Sequence, residues 1–201
     1  MESPDRKRLD INATPLAGDP LHDAWTKDAP FGLLGIELAS RRRNRLNASV
    51  RAADSDGLSL TVDQSFGNCP QYIQTRPLNF VRDPAAHSAD ALVEPITSLA
   101  GEAQAAVEMA DTFFVASFLP TETRREVEGV DVSHRGGRAG FVKVEGNTLT
   151  VPDYSGNYHF NTLGNFLLNP KAGLLFPNFE SGDVLMLTGT VELLWENDPE
   201  I

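Results

Sequence analysis

The chain reads as a mainly β protein, a β-barrel type of fold with a few short helices, and three observations lead there. Apolar runs of strand length recur between clusters of Gly, Pro, Asn and Asp. Val184 to Trp195 alternates so that Leu185, Leu187, Val191, Leu193 and Trp195 share one face, as the two-residue period of a strand requires. Helical spacing is confined to short stretches, such as Phe160, Leu163 and Leu167, which stops at Asn169-Pro170.

In order, Leu9 to Ile11 is a short strand, and Leu21 and Trp25 suggest a brief helix that Pro30 closes. Gly32 to Leu38 is the next strand. The run Arg41-Arg42-Arg43-Asn44-Arg45 reads as a solvated hairpin turn whose charges shield strand ends, with a phosphate contact as the alternative. Strands over Leu46 to Val50 and Ser59 to Asp63 follow. The amide-rich segment Gln64 to Arg76 contains Gln71 and Tyr72, groups that suit the edge and face of a planar heterocycle. Within it Cys69 has no thiol-activating neighbour and reads as a small hydrophobe. Pro77 to Glu94 lacks periodicity and reads as a connector.

Thr97 or Ser98 is expected to cap a helix running through Ala110, with Leu99, Ala103, Ala106 and Ala110 on one face. Thr112 to Phe118 is a strand, and Pro120 to Gly129 an exposed loop. Gly140 to Val144 and Thr148 to Val151 flank Glu145-Gly146-Asn147 as a hairpin. The turn residues Pro152 to Asn157 lead into the short helix, and Gly173 to Phe176 and Val184 to Trp195 complete the pattern.

The order repeats. Leu9-Asp10-Ile11 matches Leu149-Thr150-Val151, Gly32-Leu33-Leu34 matches Gly173-Leu174-Leu175, and Leu46 to Val50 matches Leu187 to Val191. The near-constant offset predicts two tandem units of one kind, residues 1–76 and 97–201, joined by 77–96. Both are incomplete: the first lacks opening strands and the second a closing strand, so the chain is part of something longer or its units complement each other. An open barrel edge after Val184 to Trp195 calls for a cover, expected as a homodimer or a partner domain.

The join between Ser155-Gly156-Asn157-Tyr158-His159 and the helix is competent for an anion. Helix starts carry unpartnered N–H groups and the positive end of the dipole. Upstream, Ser133-His134-Arg135-Gly136-Gly137-Arg138 combines glycines that permit close backbone approach with two arginines suited to phosphate. The Ser133-His134 pair is no hydrolase signature, because neighbours on a strand point apart and no nucleophile elbow accompanies it.

Val132 to Gly137, Gly140-Phe141-Val142, Gly156-Asn157, Asn161-Thr162-Leu163, Asn165, Asn169-Pro170 and Gly173 to Phe176 together resemble the flavin-nucleotide-binding proteins related to pyridoxamine 5'-phosphate oxidase. The resemblance implies an FMN-binding split β-barrel with flavin held between two barrels, a redox role, and FMN as cofactor. The residues it implies as cofactor contacts are Ser133, His134, Arg135, Gly136, Arg138, Ser155, Gly156, Asn157, His159, Asn161, Thr162 and Asn165, with Gln71 and Tyr72 from the earlier segment. Many relatives carry Arg or Lys after the Gly-Asn pair, where this chain has Tyr158-His159. The enzymatic reading is an FMN-dependent oxidoreductase. The alternative is a non-catalytic flavin-binding or electron-transfer module, or a piece of a larger redox protein.

Composition narrows the classes. A formal charge of −11 over 201 residues disfavours nucleic acid and anionic membranes as partners. No apolar run is long enough to span a bilayer and Met1 to Asp10 is charged, so a cytoplasmic protein is expected. Cys69 is the only cysteine and His22, His87, His134 and His159 match no zinc spacing, so no metal site is expected.

Overall fold

The computed structural model describes residues 1–16, 18–80, 93–120, 129–156 and 160–196. Among them are eleven strands and two short helices, so the protein is mainly β and its sheets are antiparallel. It divides into two compact units, Met1–Asn68 with Thr75–Thr97, and Cys69–Gln74 with Ser98–Ile201. The segment Cys69–Gln74 thus packs with the second unit, although the sequence pattern grouped it with the first.

In the first unit β1 (Glu2–Asp5), β2 (Arg8–Ile11), β3 (Pro30–Glu37), β4 (Arg42–Asp54) and β5 (Gly57–Gly67) form one sheet in the order β1-β2-β5-β4-β3. The even positions of β4 turn inward. Ala48 and Val50, with Leu58 and Leu60 of β5, are buried, and Leu9, Ile11, Trp25, Phe31 and Leu46 pack around them. Bulges between Asn47 and Ala48 and between Val50 and Ala52 shift the register of this long pair.

Two expectations for this unit need correction. The hairpin turn is Leu38 to Arg41, closed by Arg41 at φ 59°. Arg42, Arg43 and Arg45 are strand residues, because the ladder extends to Glu37↔Arg42. Arg45 is 5% exposed on the face opposite the core, its guanidinium 5.6 Å from the Phe66 ring centroid, and is no solvated turn residue. The brief helix at Leu21 to Trp25 is a run of turns instead, with Asp19 Oδ1 accepting from the Leu21 N–H at 2.8 Å. So few residues cannot repay helix nucleation.

In the second unit α1 (Glu102–Met109) precedes β6 (Thr112–Phe118), β7 (Val130–Gly136), β8 (Lys143–Glu145), β9 (Thr148–Thr150), α2 (Asn161–Leu168), β10 (Lys171–Pro177) and β11 (Val184–Thr190). The sheet order is β11-β10-β6-β7, and β8 and β9 make a separate hairpin. One face of the sheet carries Phe113, Val115, Leu174, Phe176, Leu185 and Leu187, against which Val107 of α1, Val142, and Leu163 and Phe166 of α2 pack. The Phe113 ring lies 5.0 Å from Phe176 and 5.8 Å from Phe141, both near parallel.

Neither Thr97 nor Ser98 caps α1. Leu99 is pinned by its buried side chain and by its N–H donating to Asn147 Oδ1 at 2.8 Å, and Gly101 at φ 58° turns the chain into the helix. The hairpin strand expected from Gly140 begins only at Lys143, because Gly140 at φ 84° belongs to a turn and Val142 plugs the core. The last strand ends at Thr190 instead of Trp195. The next N–H, of Val191, still donates to the Pro170 carbonyl at 2.9 Å, but Pro170 has no N–H to return. Val191 and Leu193 stay on the core while Trp195 is 53% exposed. The expected connector and the loop from Pro120 lie partly outside the described residues, at 81–92 and 121–128.

The offset seen in the sequence reappears in the register. Leu33 pairs with Leu46 in the β3–β4 hairpin, and Leu174 pairs with Leu187 in the β10–β11 hairpin, each partner 141 residues from its counterpart. It does not extend to the strands before them. Leu9 and Ile11 join the five-stranded sheet through β5, whereas among the described residues Leu149 pairs only with β8.

Candidate functional site

The candidate site lies within the second unit, where the segment Cys69–Gln74 meets the end of β7. Ile73, 4% exposed, anchors the segment, and Tyr72 adopts φ 64°, a conformation unusual for a bulky side chain. Gly136 makes room for it: a Cβ there would collide with the Tyr72 carbonyl oxygen. Tyr72 Oη donates to the Ser155 carbonyl at 2.6 Å, and Gln74 Nε2 donates to the Gly137 carbonyl at 3.2 Å. Strained backbone is thus held by packing and hydrogen bonds on several sides.

These contacts bring aromatic rings together. Tyr72 and Tyr154 lie 5.3 Å apart and tilted, and Tyr154 stacks on Phe141 at 6.5 Å. They border an open cleft of about 430 Å³ lined by Tyr72, Gln74, Arg138, Phe141, Tyr154 and the backbone of Gly137 to Gly140. Arg138 is exposed and makes no ion pair among the described residues. Such a cleft can hold a flat, partly apolar ligand with an anionic end.

The residues expected as cofactor contacts separate into groups. Tyr72 and Arg138 line the cleft, Gly136 supports it, and Ser155 contributes its carbonyl to the rim. Arg135 is engaged by Asp153 at 3.2 Å, so its charge is already partly answered. Ser133 and Thr162 are inside the protein: Thr162 Oγ1 donates to Asp131 Oδ2 at 2.6 Å, Ser133 Oγ donates to the same oxygen at 3.2 Å, and the two hydroxyls are 3.0 Å apart. This buried network ties α2 to β7 and is no part of the lining of the cleft at Tyr72 and Arg138. Asn165 likewise docks α2, its Nδ2 donating to Ser117 Oγ at 3.1 Å.

His134 is buried on the opposite face of β7, edge-on to Phe114 at 5.8 Å, as strand alternation demands. Gln71 is exposed and accepts only a weak contact from Cys69 Sγ at 3.9 Å. Gly156 is exposed and Asn161 half-buried, outside the cleft lining. Asn157 and His159 lie outside the described residues. Gln74, Phe141 and Tyr154 line the cleft without being among the residues expected as cofactor contacts. Their signal was the pair of aromatics bracketing the β8–β9 hairpin, visible only once that hairpin is known to stand beside Tyr72.

No protein-family model, curated protein or solved structure matches this chain. Fold and site define a mainly β protein of two antiparallel sheet units with an aromatic cleft on the second. Among the described residues no helix is long and apolar enough to cross a membrane, and no group of three or more His, Cys, Asp or Glu side chains is placed to hold a metal.

Proposed function

We propose that the second unit binds a flavin nucleotide, FMN, without a covalent link, in a split-barrel type of fold, and that the protein serves a redox role. The observation that carries this reading is the convergence of Tyr72, Phe141 and Tyr154 beside Arg138 in one cleft. Aromatic faces suit an isoalloxazine plane, and the cleft volume falls in the range of cofactor sites. Gln74 donates through Nε2 to backbone, leaving Oε1 as an acceptor for a ring N–H. Arg138 is the cation for the phosphate, with Arg135 reduced to a supporting part by Asp153. The resemblance of Val132 to Phe176 to the pyridoxamine 5'-phosphate oxidase relatives points to the same ligand.

FMN supplies electron or hydride chemistry when bound, and the chain supplies binding and orientation. The lining favours a flavin-binding or electron-transfer module over an oxidase proper. Its side chains, chiefly Tyr, Gln, Arg and Phe, are suited to stacking, hydrogen bonding and charge pairing with a bound cofactor.

Titration with FMN and with riboflavin, read by flavin fluorescence and thermal shift, tests the assignment. FMN should quench and stabilise, and Arg138→Ala should weaken FMN by roughly tenfold to a hundredfold while leaving riboflavin nearly unchanged. Tyr72→Ala should weaken both. A protein that neither quenches nor is stabilised by FMN contradicts the proposal.

A further inference from the structure

We propose that the Asp153 carboxylate stands in for a ligand phosphate at Arg135 and is exchanged for it on binding, so that Asp153 sets how strongly the cleft prefers a phosphorylated flavin over an unphosphorylated one. This rests on the flavin reading of the cleft. Asp153 Oδ1 lies 3.2 Å from Arg135 Nη1. A carboxylate and a phosphate offer a guanidinium the same chemistry, anionic oxygens that accept its N–H groups. The pair also sits beside the lining. Asp153 immediately precedes Tyr154, whose ring borders the cleft, and Arg135 lies on β7 two residues before Gly137, whose backbone borders it too.

The pair is built to be exchanged. Its side chains are 29% and 47% exposed, so water and salt weaken their attraction. Residues 151–156 carry neither strand nor helix and are exposed, so the Asp153 side chain can turn away without breaking a ladder. A phosphate monoester brings more than one negative charge and three acceptor oxygens against the single charge of Asp153, and outcompetes it for the cation. Asp131 is the opposite case: 3% exposed and held by Thr162 and Ser133, it is fixed in place. Tyr154 keeps its position when Asp153 lets go, because Tyr72 Oη donates to the Ser155 carbonyl on the other side of it and its ring stacks on Phe141.

Exchange has a consequence for selectivity. A phosphate that reaches Arg135 must first displace a carboxylate that is already there, and part of its gain is lost in doing so. A flavin without a phosphate leaves the pair untouched. Asp153 therefore lowers affinity for FMN and not for riboflavin, while Arg138, which makes no ion pair among the described residues, meets the phosphate unopposed. Without the Asp153 charge, Arg135 becomes a second full phosphate contact.

Titration of the full chain with FMN and with riboflavin, read by flavin fluorescence, gives the ratio of their dissociation constants, in which any change in ring stacking cancels. Asp153→Asn should move that ratio toward FMN by roughly threefold to tenfold. Arg135→Ala should reduce the FMN preference by less than about threefold in the otherwise wild-type chain and by the larger factor in the Asp153→Asn background, where the guanidinium is uncontested. A carboxylate that only holds the loop in place would weaken both flavins alike in Asp153→Asn and leave the ratio unmoved, which overturns the proposal. So does an equal effect of Arg135→Ala in the two backgrounds. Should Asp153→Asn fail to fold, Asp153→Ser carries the same expectations. Wild type that binds neither flavin overturns the flavin reading and this inference with it, an outcome distinct from binding of both with an unmoved ratio.

Discussion

The β3–β4 and β10–β11 hairpins share a register and differ in their neighbours. Leu46 and Leu187 occupy corresponding places, yet β4 is enclosed between β3 and β5 while β11 has, among the described residues, only β10 beside it. The contrast shows in burial. β4 carries Ala48 and Val50 at 3% and 1% exposure, whereas alternate residues of β11 stay exposed. The first unit is held by strand ladders on both sides of β4. The second relies on covers: α1, α2 and the segment at Tyr72 close over its sheet. One local ladder can therefore serve either a core or an edge, and the neighbouring chain decides which.

The largest expected difference comes from proline at corresponding outward positions. The Arg43 carbonyl accepts from the Asn68 N–H at 3.2 Å, so in the register before the bulges Arg43, Arg45 and Asn47 bond toward β5. The Val191 N–H donates to the Pro170 carbonyl and bonded pairs alternate along an antiparallel ladder, so Leu187 bonds inward to β10 and Thr188 faces outward. Asn47→Pro should cost about 3 kcal/mol or more in chemical denaturation, and Thr188→Pro at low protein concentration less than about 1. Equal costs would break the comparison. Next comes the steric fit of the cover: Gly136→Ala drives a Cβ into the Tyr72 carbonyl and should cost about 2–3 kcal/mol. Gly35→Ala in the first unit, where the nearest atom would be the Asn44 carbonyl oxygen at 4.0 Å, should stay within about 0.5 kcal/mol.

Thr162→Val takes one donor from the buried Asp131 carboxylate and loosens α2 from β7, at about 1.5–2 kcal/mol in the same assay. The smallest effect belongs to the first unit's surface. Hydrogen bonds from Arg8 and then Ser59 hold the Asp10 carboxyl below its ordinary 3.8, and Asp10 in turn raises Arg8. A lowered carboxylate stabilises above the unfolded value and stops doing so as pH falls through the folded one. Wild type should therefore exceed Asp10→Asn slightly at pH 7, and the two should converge below about pH 4. A gap that widens in acid would contradict the sign.

Much of the fold was legible because periodicity reports burial directly. Thr112–Phe118 and the α2 helix stand where their patterns put them, and of the repeat expected in the sequence only the hairpin register, Leu33 with Leu46 and Leu174 with Leu187, recurs at the 141-residue offset. What the sequence concealed depends on partners distant in the chain. Arg45 looks like a turn cation until the long ladder with β5 carries it into the sheet beside Phe66. The end of β11 depends on a missing N–H at Pro170, a residue on another strand's flank. For the site, Ser133, Arg135 and Thr162 have the side chains a phosphate wants, but Asp131 and Asp153 reach them first. The cleft is built from Tyr72, Phe141 and Tyr154, whose meeting no local spacing announces.

Amide hydrogen exchange, residue by residue in dilute protein, tests the contrast between the hairpins most directly. In the first hairpin Leu46 and Asn47 should both exchange slowly, since one bonds to β3 and the other to β5. In the second, Leu187 should be protected and Thr188 should exchange near the rate of an open chain. Thr188 protected as strongly as Leu187 at every dilution, or Asn47 as open as Thr188, would contradict the account.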